Sequence, residues 1–477
     1  MMTVRPTTWM LNLGYAAILC LLCPFILWRM LRHGRYRRGI REKFLGTAKA
    51  VALSCQSSHQ SGPNAEQNPQ PAEKPVVWFH AVSVGEVVQL EKVVTAFRQQ
   101  TNANYDVVIS TSTDTGYDLA VRRFPDCRVT WFPLDFSWAV NSALDRIRPR
   151  MLVLMELEIW PNLIRACHDR TISVAIVNAR MSDRSVRGYR RIRPFIAPTL
   201  ARISLIAAQS QQYADRLKSL GARTDALWVT GSIKFDGVDT DRENPKTTAL
   251  RQALGLQANQ LIFIAGSTQE PEEELCLQAW LQLRKEFPNL RFVSVPRHKE
   301  RFEDVAQVFF RHNVPFIRRS HLMDPESRLR PATTHAESGA ELPAILLDTI
   351  GELSACWGLA DIAFVGGSFG NRGGQNMIEP AAYGAAVLFG PNTSNFRDVV
   401  ALFRANHACV QLSSPDQLLP TLHTLIQDRQ QRKNFGQRAQ NVVLSQQGAT
   451  LQTVELLRSL IDDLNTSRQP SDGQIAA

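Results

Sequence analysis

A glutamate near the start of a predicted helix is the first candidate for acid–base chemistry. A predicted apolar strand at 76–79 is followed by HAVSVGE (80–86) and then by a helical pattern, which places Glu86 at the carboxyl end of the strand. The helix dipole favours an ionised carboxylate there, and a general base for an alcohol needs one. Ser83 and Glu86 also have the spacing of a capping box. The spacing supports both interpretations.

Further charged residues follow other predicted strands of the first half. Glu156 and Glu158 come after the strand 151–155 and would share one face if that strand continued. They could orient a base or stabilise a substrate hydroxyl, although a solvated strand end explains them as well. Lys234, after the strand 227–230, could meet an anionic substrate or be an ordinary surface lysine.

The second half carries residues suited to binding phosphate. Arg297, in PRH after the strand 292–295, could bind a phosphate in fork geometry, and the strand 344–347 leads into a helix start at 348–352. Five glycines within 366–374 would let the backbone approach a phosphate at the positive end of the next helix. Glu379 could then accept ribose hydroxyls. Capping explains the T-x-x-E and N-x-x-E spacings at 349–352 and 376–379 equally well.

The glycine-rich stretch also contains the G-x-S-x-G pattern of serine hydrolases. Ser368 would be the nucleophile, and Asp398 and His407 follow in the order that such enzymes use. A nucleophile elbow must pass straight into a helix, which the glycines at 373 and 374 would break, so a phosphate loop is favoured. The hydrolase remains the alternative from a different class of enzyme.

The pattern of elements predicts where these residues meet. Short apolar strands alternate with helical stretches, which is typical of parallel sheets covered on both faces. A polar linker at 236–248 separates two series of seven strands. The predicted fold class is therefore α/β, with doubly wound, Rossmann-like domains at 76–240 and 250–465 facing a cleft, and a polar tail at 466–477. Ligands should bind at the carboxyl ends of the strands.

The first residues have the pattern of a membrane anchor. Residues 9–28 carry no charge, lie between Trp9 and Trp28, and as a helix would span about 30 Å. A basic cluster follows at once, which predicts a single transmembrane helix with everything after it on the cytoplasmic side of the membrane. A cleaved signal peptide would carry its charge before the apolar core. Residues 29–75 are interpreted as a basic segment and a flexible spacer.

Composition excludes several other classes. The chain has 477 residues and a net charge of +10, but residues 1–43 hold eight Lys or Arg and one Glu, so the basic charge is local and argues against a nucleic-acid partner. Eight cysteines in this length do not make a disulfide framework. No metal-binding motif is present, and the single D-x-D, at 239–241, falls in the linker. The sequence therefore predicts neither a metal nor a cofactor.

Taken together, these motifs resemble the bacterial 3-deoxy-D-manno-octulosonic acid (Kdo) transferases. The matching stretches, in the family's order, are HAVSVGE (80–86), MELEIWPN (155–162), IVNARMS (176–182), TGSIKFD (230–236), VPRH (295–298), DTIGEL (348–353) and ADIAFVGGSFGNRGGQNMIE (360–379). The resemblance implies a GT-B glycosyltransferase of lipopolysaccharide biosynthesis. It implies transfer of Kdo from CMP-Kdo to a hydroxyl of a lipid A precursor, with inversion, without a metal, and at inner-membrane lipids. A GT-B enzyme using another nucleotide sugar is the alternative within this class.

The resemblance also implies roles for individual residues. Glu86 would be the base that deprotonates the acceptor, and Glu156 and Lys234 would stabilise the transition state. CMP would be bound by Pro296, Arg297, Ile350, Gly351, Glu352, Asn376, Met377, Ile378 and Glu379. The chain departs from the family pattern where STQEPEE (267–273) replaces STHEGEE and where Asn392 replaces the histidine of GPH. These departures affect details of substrate contact rather than the reaction class.

Overall fold

The computed structural model describes residues 6–33, 37–47, 74–323 and 342–466. The chain divides into two compact units, unit 1 (residues 1–236 and 447–477) and unit 2 (residues 237–446). Most of the predicted spacer, at 48–73, and the tail at 467–477 lie outside the described residues.

Unit 1 is built on a parallel sheet of seven strands with the order β3-β2-β1-β4-β5-β6-β7. The strands are β1 Val76–His80, β2 Asp106–Thr111, β3 Arg128–Trp131, β4 Pro149–Met155, β5 Ser173–Ala179, β6 Leu205–Ala208 and β7 Leu227–Val229. Successive side chains of a strand point to opposite faces. Val77 and Phe79 of β1 therefore join one core and Trp78 the other, and all three side chains are fully buried.

Helices cover both faces of this sheet. In chain order, the helices of the first segment of unit 1 are α1 Pro6–His33, α2 Ile40–Leu45, α3 Val84–Gln100, α4 Asp114–Arg123, α5 Ser137–Ile147, α6 Pro161–Asp169, α7 Asp183–Arg191, α8 Arg193–Leu200 and α9 Gln211–Leu220. Side-chain oxygens of Ser83, Thr113, Ser182 and Ser210 accept N–H groups at the starts of α3, α4, α7 and α9, which satisfies donors that a helix leaves free.

Unit 2 repeats this architecture with a different strand order. Its parallel sheet runs β10-β11-β9-β8-β12-β13-β14. The strands are β8 Leu261–Thr268, β9 Leu290–Pro296, β10 Phe316–Arg318, β11 Ala344–Leu346, β12 Ile362–Val365, β13 Ala386–Phe389 and β14 Val410–Gln411. The helices are α10 Pro245–Ala253, α11 Glu272–Leu283, α12 Phe302–Arg311, α13 Arg319–Met323, α14 Leu353–Trp357, α15 Ile378–Ala382, α16 Arg397–Ala405, α17 Leu418–Gln427 and α18 Arg429–Ser445.

The last helix returns to unit 1. Helix α19 (Ala449–Thr466) packs against α3 and buries Val454, Leu457 and Ile461 in the core beneath it. Asp236, at the end of unit 1's first segment, accepts hydrogen bonds from the N–H groups of Gly448 (2.7 Å) and Thr450 (2.6 Å). This differs from the sequence-based domain of 250–465, because residues beyond 446 bury their apolar side chains in unit 1 rather than in unit 2.

The apolar helix α1 is largely exposed but is held to unit 1 near its first turns. Within the described residues it is the one helix long and apolar enough to cross a membrane, over Thr8–Arg32, with a mean hydropathy of 2.1. The Asn12 Nδ2 donates to Ser137 Oγ (2.8 Å), and the Tyr15 hydroxyl donates to the buried Asp135 (2.8 Å). The basic segment that follows is partly structured, since α2 packs on α5, which the sequence did not predict.

All fourteen predicted strands are present, and all pair in parallel, so the predicted α/β, doubly wound class is confirmed for both units. The boundaries shift by up to three residues at some strand ends. The cleft between the domains stays a prediction.

Candidate active site

The candidate acidic residues of unit 1 meet at the switch point of its sheet. Strands β1 and β4 are neighbours, and the chain continues from β1 to β2 on one side and from β4 to β5 on the other. In open α/β sheets, ligands bind outside the carboxyl ends of strands at such a point. Glu86 follows β1, and Glu156 and Glu158 follow β4, so the fold brings together the three carboxyl groups that the sequence singled out.

Glu86 is turned toward the start of its own helix. Its Oε1 accepts the Ser83 hydroxyl (2.8 Å) and its Oε2 accepts the N–H of Val82 (2.9 Å), while Ser83 Oγ caps the N–H of Glu86 (3.3 Å). The structure therefore confirms that Ser83 and Glu86 cap the start of α3. Each carboxylate oxygen keeps a second lone-pair direction, so the same side chain can still accept a proton.

Burial changes the expected protonation of Glu86. Desolvation of the largely buried side chain raises its pKa above the usual value, the hydrogen bonds from Val82 and Ser83 oppose this, and the charge of Glu156 adds to it. The dipole of α3 favours the ionised form, as the sequence-based argument held, but the cost of burial is larger, and the pKa is raised overall. A carboxylate with a raised pKa is a stronger base near neutral pH.

Glu156 is aimed by an unusual backbone conformation. It has a φ of 56°, in the left-handed region, so the strand ends at Met155 and the shared face predicted for Glu156 and Glu158 does not form. The Nε and Nη2 atoms of Arg180 each lie 2.9 Å from Glu156 Oε2, so the guanidinium donates to this carboxylate oxygen. Arg180 lies in the IVNARMS motif but was not assigned a role from the sequence.

Glu158, also in this cluster, has a strongly raised pKa. Desolvation and the nearby charge of Glu86 raise its pKa to about 7, with a smaller contribution from Glu156 and partial compensation by Trp160. Glu158 therefore carries a proton in a substantial share of molecules at neutral pH. The family resemblance implies no role for it.

We expect Glu158→Gln to remove part of the pH dependence of stability. The folded protein holds this proton up to about pH 7, whereas the unfolded chain releases it near pH 4.5. Between these values the folded state binds more protons, so stability falls as pH rises. The variant should match the wild type near pH 4.5 and exceed its Tm by about 3 °C at about pH 8, a gain discounted for partial exposure. Equal Tm values at both pH values, measured by thermal shift, would contradict the raised pKa.

A hydrogen-bond chain positions the turn that carries Lys234. Gln89 of α3 donates to the carbonyl of Gly85 (3.2 Å) and accepts the Asn178 side-chain amide (2.7 Å). Asn178, itself left-handed at a φ of 56°, accepts the N–H of Ile233 (3.2 Å). Lys234 is the next residue, in a 3₁₀ turn over Ile233–Phe235 and half-buried. Three of the matched motifs are therefore tied together in unit 1.

In unit 2 the predicted ligand residues also collect at one edge of the sheet. Strands β11, β9, β8 and β12 are adjacent, and their carboxyl ends carry the loops with Ile350–Glu352, Arg297, Glu272 and the glycine-rich stretch respectively. Because parallel strands end at the same edge, these loops are neighbours. This is the arrangement that a nucleotide-binding site in this unit requires.

The glycine-rich loop is occupied by an internal carboxylate. Glu272, 1% exposed, accepts the N–H groups of Gly367 (2.6 Å) and Gln269 (3.0 Å) on Oε2, and those of Ser368 (2.8 Å) and Phe369 (3.0 Å) on Oε1. The prediction that this part of the loop binds phosphate through its N–H groups is therefore wrong for residues 367–369. A Cβ at Gly366 would lie 2.8 Å from Glu272 Oε2, so a glycine is needed there for close approach.

Ser368 is not a nucleophile. Its side chain is fully buried, and its hydroxyl donates to the carbonyl of Val365 (2.8 Å) and accepts the N–H of Gly390 (2.9 Å). A substrate cannot reach this oxygen without displacing the loop, so the serine hydrolase alternative is contradicted.

Two of the three residues that depart from the family pattern, Gln269 and Asn392, lie around this same loop. Gln269 contributes its backbone N–H to Glu272, a contact that does not depend on its side chain. Asn392 donates its N–H to the carbonyl of Ser368 (2.9 Å), and its side-chain amide lies 3.4 Å from the carbonyl of Phe369. Both departures are therefore accommodated next to the loop and leave its backbone bonds in place.

The other residues expected to bind CMP differ in exposure and in their contacts. The Arg297 side chain and Ile350, 80% exposed, are accessible. Glu352 forms a bidentate ion pair with Arg319 (2.9 and 3.1 Å). Burial alone would raise the pKa of Glu352, but hydrogen bonds from Arg319 and Thr349 bring this pKa below the usual value. Gly351 has a φ of 93°, which favours glycine at this turn.

The NMIE segment offers polar side chains at its ends and backbone in its middle. The Asn376 Nδ2 donates to Glu379 (2.8 Å), and its Oδ1 accepts the N–H of Ile378 (3.1 Å). Met377 and Ile378 are buried, so only their backbone groups could contact a ligand, and Pro296 is buried as well. Within the described ranges, no group of three or more His, Cys, Asp or Glu side chains is placed to hold a metal ion.

Comparison with known proteins identifies the family. The family model described as 3-Deoxy-D-manno-octulosonic-acid transferase (kdotransferase) matches residues 56–237. A 3-deoxy-D-manno-octulosonic acid transferase of Haemophilus influenzae is 32% identical over 388 residues, which cover 81% of this chain and 87% of that protein. The chain belongs to the Kdo transferase family. The resemblance drawn from the motifs is thereby confirmed, and the protein is a glycosyltransferase.

One solved structure agrees with the fold. The UDP-GlcNAc 2-epimerase of Neisseria meningitidis, bound to UDP-GlcNAc, matches with a TM-score of 0.52 at 14% identity, covering 81% of this chain and 100% of that one. At this identity the likeness shows the fold alone, which is GT-B. The C-terminal CMP-Kdo binding domain of WaaA from Acinetobacter baumannii is 26% identical, with a TM-score of 0.36, and covers 42% of this chain and 96% of that domain.

Proposed function

We propose that this Kdo transferase family member transfers Kdo from CMP-Kdo to a hydroxyl of a lipid A precursor, with inversion and without a metal. The observation that carries the proposal is the cluster of the buried Glu86 with the partly buried Glu156 and Glu158 at the switch point of unit 1, in a chain whose family is known. Such a cluster supplies a candidate general base with further carboxyl groups close to it.

Glu86 is the proposed general base. In an inverting transfer, the acceptor oxygen attacks the anomeric carbon from the face opposite the leaving group. A new carbon–oxygen bond forms, the bond to the CMP phosphate breaks, and CMP leaves with the electron pair. The hydroxyl proton goes to Glu86, whose raised pKa suits it to accept a proton near neutral pH.

Glu156 and Lys234 are proposed to stabilise the transition state. The sugar ring gains positive charge as the donor bond breaks, and a carboxylate stabilises that charge. Glu156 is held in place by Arg180 and by its left-handed backbone, which supports a fixed orientation. Lys234 would interact with negative charge on the donor, and its turn is fixed through Asn178.

Unit 2 is proposed to bind CMP. Arg297 offers an exposed guanidinium for the phosphate, Ile350 an exposed apolar surface, and Glu379 a carboxylate for hydroxyl or amino groups of the nucleoside. Three further residues would contact CMP through backbone groups: Gly351, Met377 and Ile378. The buried Pro296 and the Arg319-paired Glu352 would instead fix the shape of the loops that carry the ligand contacts. Because Glu272 already accepts the N–H groups of residues 367–369, the phosphate would be bound by other groups at the carboxyl edge of the unit 2 sheet.

The proposed membrane location is supported by the proposed lipid acceptor and by the apolar helix α1. We propose that α1 anchors the protein in the inner membrane, with the basic residues after it on the cytoplasmic side. A lipid acceptor would then be presented in the leaflet to which the enzyme is attached.

The proposal is tested by incubating the detergent-solubilised protein with CMP-Kdo and a tetra-acylated disaccharide precursor. Mass spectrometry should show the precursor heavier by one or more Kdo units, and EDTA should leave the yield unchanged. Product formed from a UDP-sugar but not from CMP-Kdo would instead favour the other nucleotide-sugar transferase. Loss of product in EDTA would contradict metal independence.

A further inference from the structure

An open pocket of about 590 Å³ lies at the edge of the unit 1 sheet opposite to the carboxyl cluster. It is formed where three adjacent strands begin, β1 at Val76, β4 at Pro149 and β5 at Ser173. Glu86 and Glu156 follow the other ends of β1 and β4. Because β4 has seven residues and a strand rises about 3.3 Å per residue, the two edges are roughly 20 Å apart. The pocket is therefore separate from the candidate active site.

This pocket carries an excess of positive charge. Three of the residues that line it are arginines, Arg148, Arg150 and Arg170, and one is a carboxylate, Asp145. Asp145 forms an ion pair with Arg170 (2.8 Å). Among the described residues, no carboxylate lies within ion-pair distance of Arg148 or Arg150. Three arginines and one aspartate leave a net charge of +2, which suits a doubly charged anion such as a phosphate monoester.

Arg150 is placed at the pocket by an irregularity in the sheet. Val76 of β1 pairs with Pro149, but the next residue of β1 pairs with Met151. Arg150 is therefore an extra residue on β4, and a bulge of this kind is rare between parallel strands and re-aims a side chain. The Arg150 Nε is buried and has no hydrogen-bond partner among the described residues. An oxyanion bound in fork geometry takes Nε together with one Nη, so a small rotation of the side chain toward an anion would satisfy this donor.

The other two arginines are held by the loops beside the pocket. Arg148 ends α5 with a φ of 49°, in the left-handed region, and its side chain is exposed. Arg170 is fixed by α5, because its Nη1 donates to Asn141 (2.7 Å) and its Nη2 to Asp145 (2.8 Å). Thr171, the next residue, is also left-handed at a φ of 53° and is exposed. A β-branched residue in this region is strained, and such strain clusters at binding sites.

The rest of the pocket wall is mainly apolar. It consists of Pro75, Val76, Leu144, Pro149 and Ile172, with the hydroxyl of Thr171 beside them. Small-molecule sites combine walls of this kind with a few convergent polar groups, in volumes of roughly 300–1,000 Å³. Inorganic phosphate alone would leave the apolar walls without a partner. The lining therefore favours a small ligand that carries a phosphate on an apolar body.

We propose that this pocket binds a small phosphate monoester, with the phosphate held by Arg148 and Arg150 and the organic part lying against the apolar walls. The site does not depend on which sugar the enzyme transfers, because it lies at the opposite edge of the sheet from Glu86. A ligand bound there connects the segments that precede β1, β4 and β5, and it stabilises unit 1 because it binds the folded form only.

The test uses phenyl phosphate as the probe on the detergent-solubilised full chain. Hydrogen exchange by mass spectrometry should show amides at 145–150 and 170–173 exchanging about threefold more slowly when the probe is added. Isothermal titration calorimetry should give a Kd about tenfold lower for phenyl phosphate than for inorganic phosphate, because the ring buries apolar surface. Phenol, which lacks the charge, should leave the exchange unchanged. Equal affinities for phenyl phosphate and inorganic phosphate would contradict the apolar contact.

Two variants and a matched control test the arginines. Arg150→Gln and Arg148→Gln should each raise the Kd for phenyl phosphate about tenfold. Because Arg148 is exposed, its replacement should leave Tm within a few degrees of the wild type, so a loss of binding in that variant is not a loss of folding. Arg146→Gln changes an exposed arginine of α5 that does not line the pocket, and its Kd should equal that of the wild type.

Arg297→Gln separates this site from the proposed CMP site of unit 2. It removes the guanidinium proposed to bind the CMP phosphate, and it should leave the protection at 145–150 and 170–173 intact. Protection that appears at 295–298 and not at these two segments would overturn the proposal, because the probe would then bind only where CMP is expected. An unchanged Kd in Arg148→Gln and Arg150→Gln would overturn it as well.

Discussion

Glu86→Gln is expected to lower kcat for Kdo transfer by about a thousandfold, within the range that a general base contributes. Glutamine keeps the size of the side chain and can still accept the Ser83 hydroxyl, but it cannot take the acceptor proton. The wild-type rate should rise with pH through the raised pKa of Glu86, because the base is the ionised form. The variant should lack that dependence while its KM for CMP-Kdo stays close to that of the wild type.

Ser83→Ala is the matched control for this experiment. It removes the cap of α3 and one partner of the carboxylate, which should cost about 1 kcal/mol of stability, and it leaves the base in place. Its kcat should fall far less than that of Glu86→Gln. Similar losses of kcat in the two variants would show that Glu86 acts only as a cap.

Glu272→Gln should lower the Tm of unit 2 by about 10 °C. A carboxamide offers one acceptor oxygen where the carboxylate offers two, and its NH₂ group faces N–H groups of the loop. At least one buried donor is then left without an acceptor and another bond is weakened, at about 3 kcal/mol in total. For a unit of this size each kcal/mol shifts Tm by about 3 °C. Calorimetry of the full chain can measure the transition.

Glu274→Gln supplies the comparison on the same helix. Glu274 is partly exposed and contacts His312 (2.7 Å), so its replacement should change Tm by less than about 3 °C. Glu272→Gln should also raise the KM for CMP-Kdo, because the loop it holds lies beside the proposed CMP residues. A Tm for Glu272→Gln equal to that of Glu274→Gln would show that the four bonds do not hold the loop.

The fold could be read from the sequence because its signals are local. Strands buried on both faces appear as continuous apolar runs, and a capping residue marks the starts of α3, α4 and α7. Parallel order places residues after neighbouring strands at one edge, but the adjacency of β1 and β4, which brings Glu86 and Glu156 together, was not predicted. The return of α19 to unit 1 was missed because its apolar face gives no indication of which core it will join.

The site was less predictable where long-range partners decide the chemistry. Glu272 lies about 95 positions before the N–H groups it binds, so five glycines alone pointed to a phosphate. The left-handed φ of Glu156 and the pairing with Arg180 depend on a neighbouring strand, and no spacing pattern reports them. The raised pKa of Glu158 follows from burial among other acids, which only the assembled loops create.

The return of the last helix makes unit 2 an insertion within unit 1. Residues 237–446 form one continuous piece, whereas a fragment ending at Asp236 would leave the core face that covers Val454, Leu457 and Ile461 open to water. Deleting the inserted piece and joining the flanking segments directly would keep α19 on its core, since Asp236 already bonds to Gly448. Removing residues from the carboxyl end should therefore destabilise unit 1, which carries Glu86, although most of unit 1 lies far away in sequence.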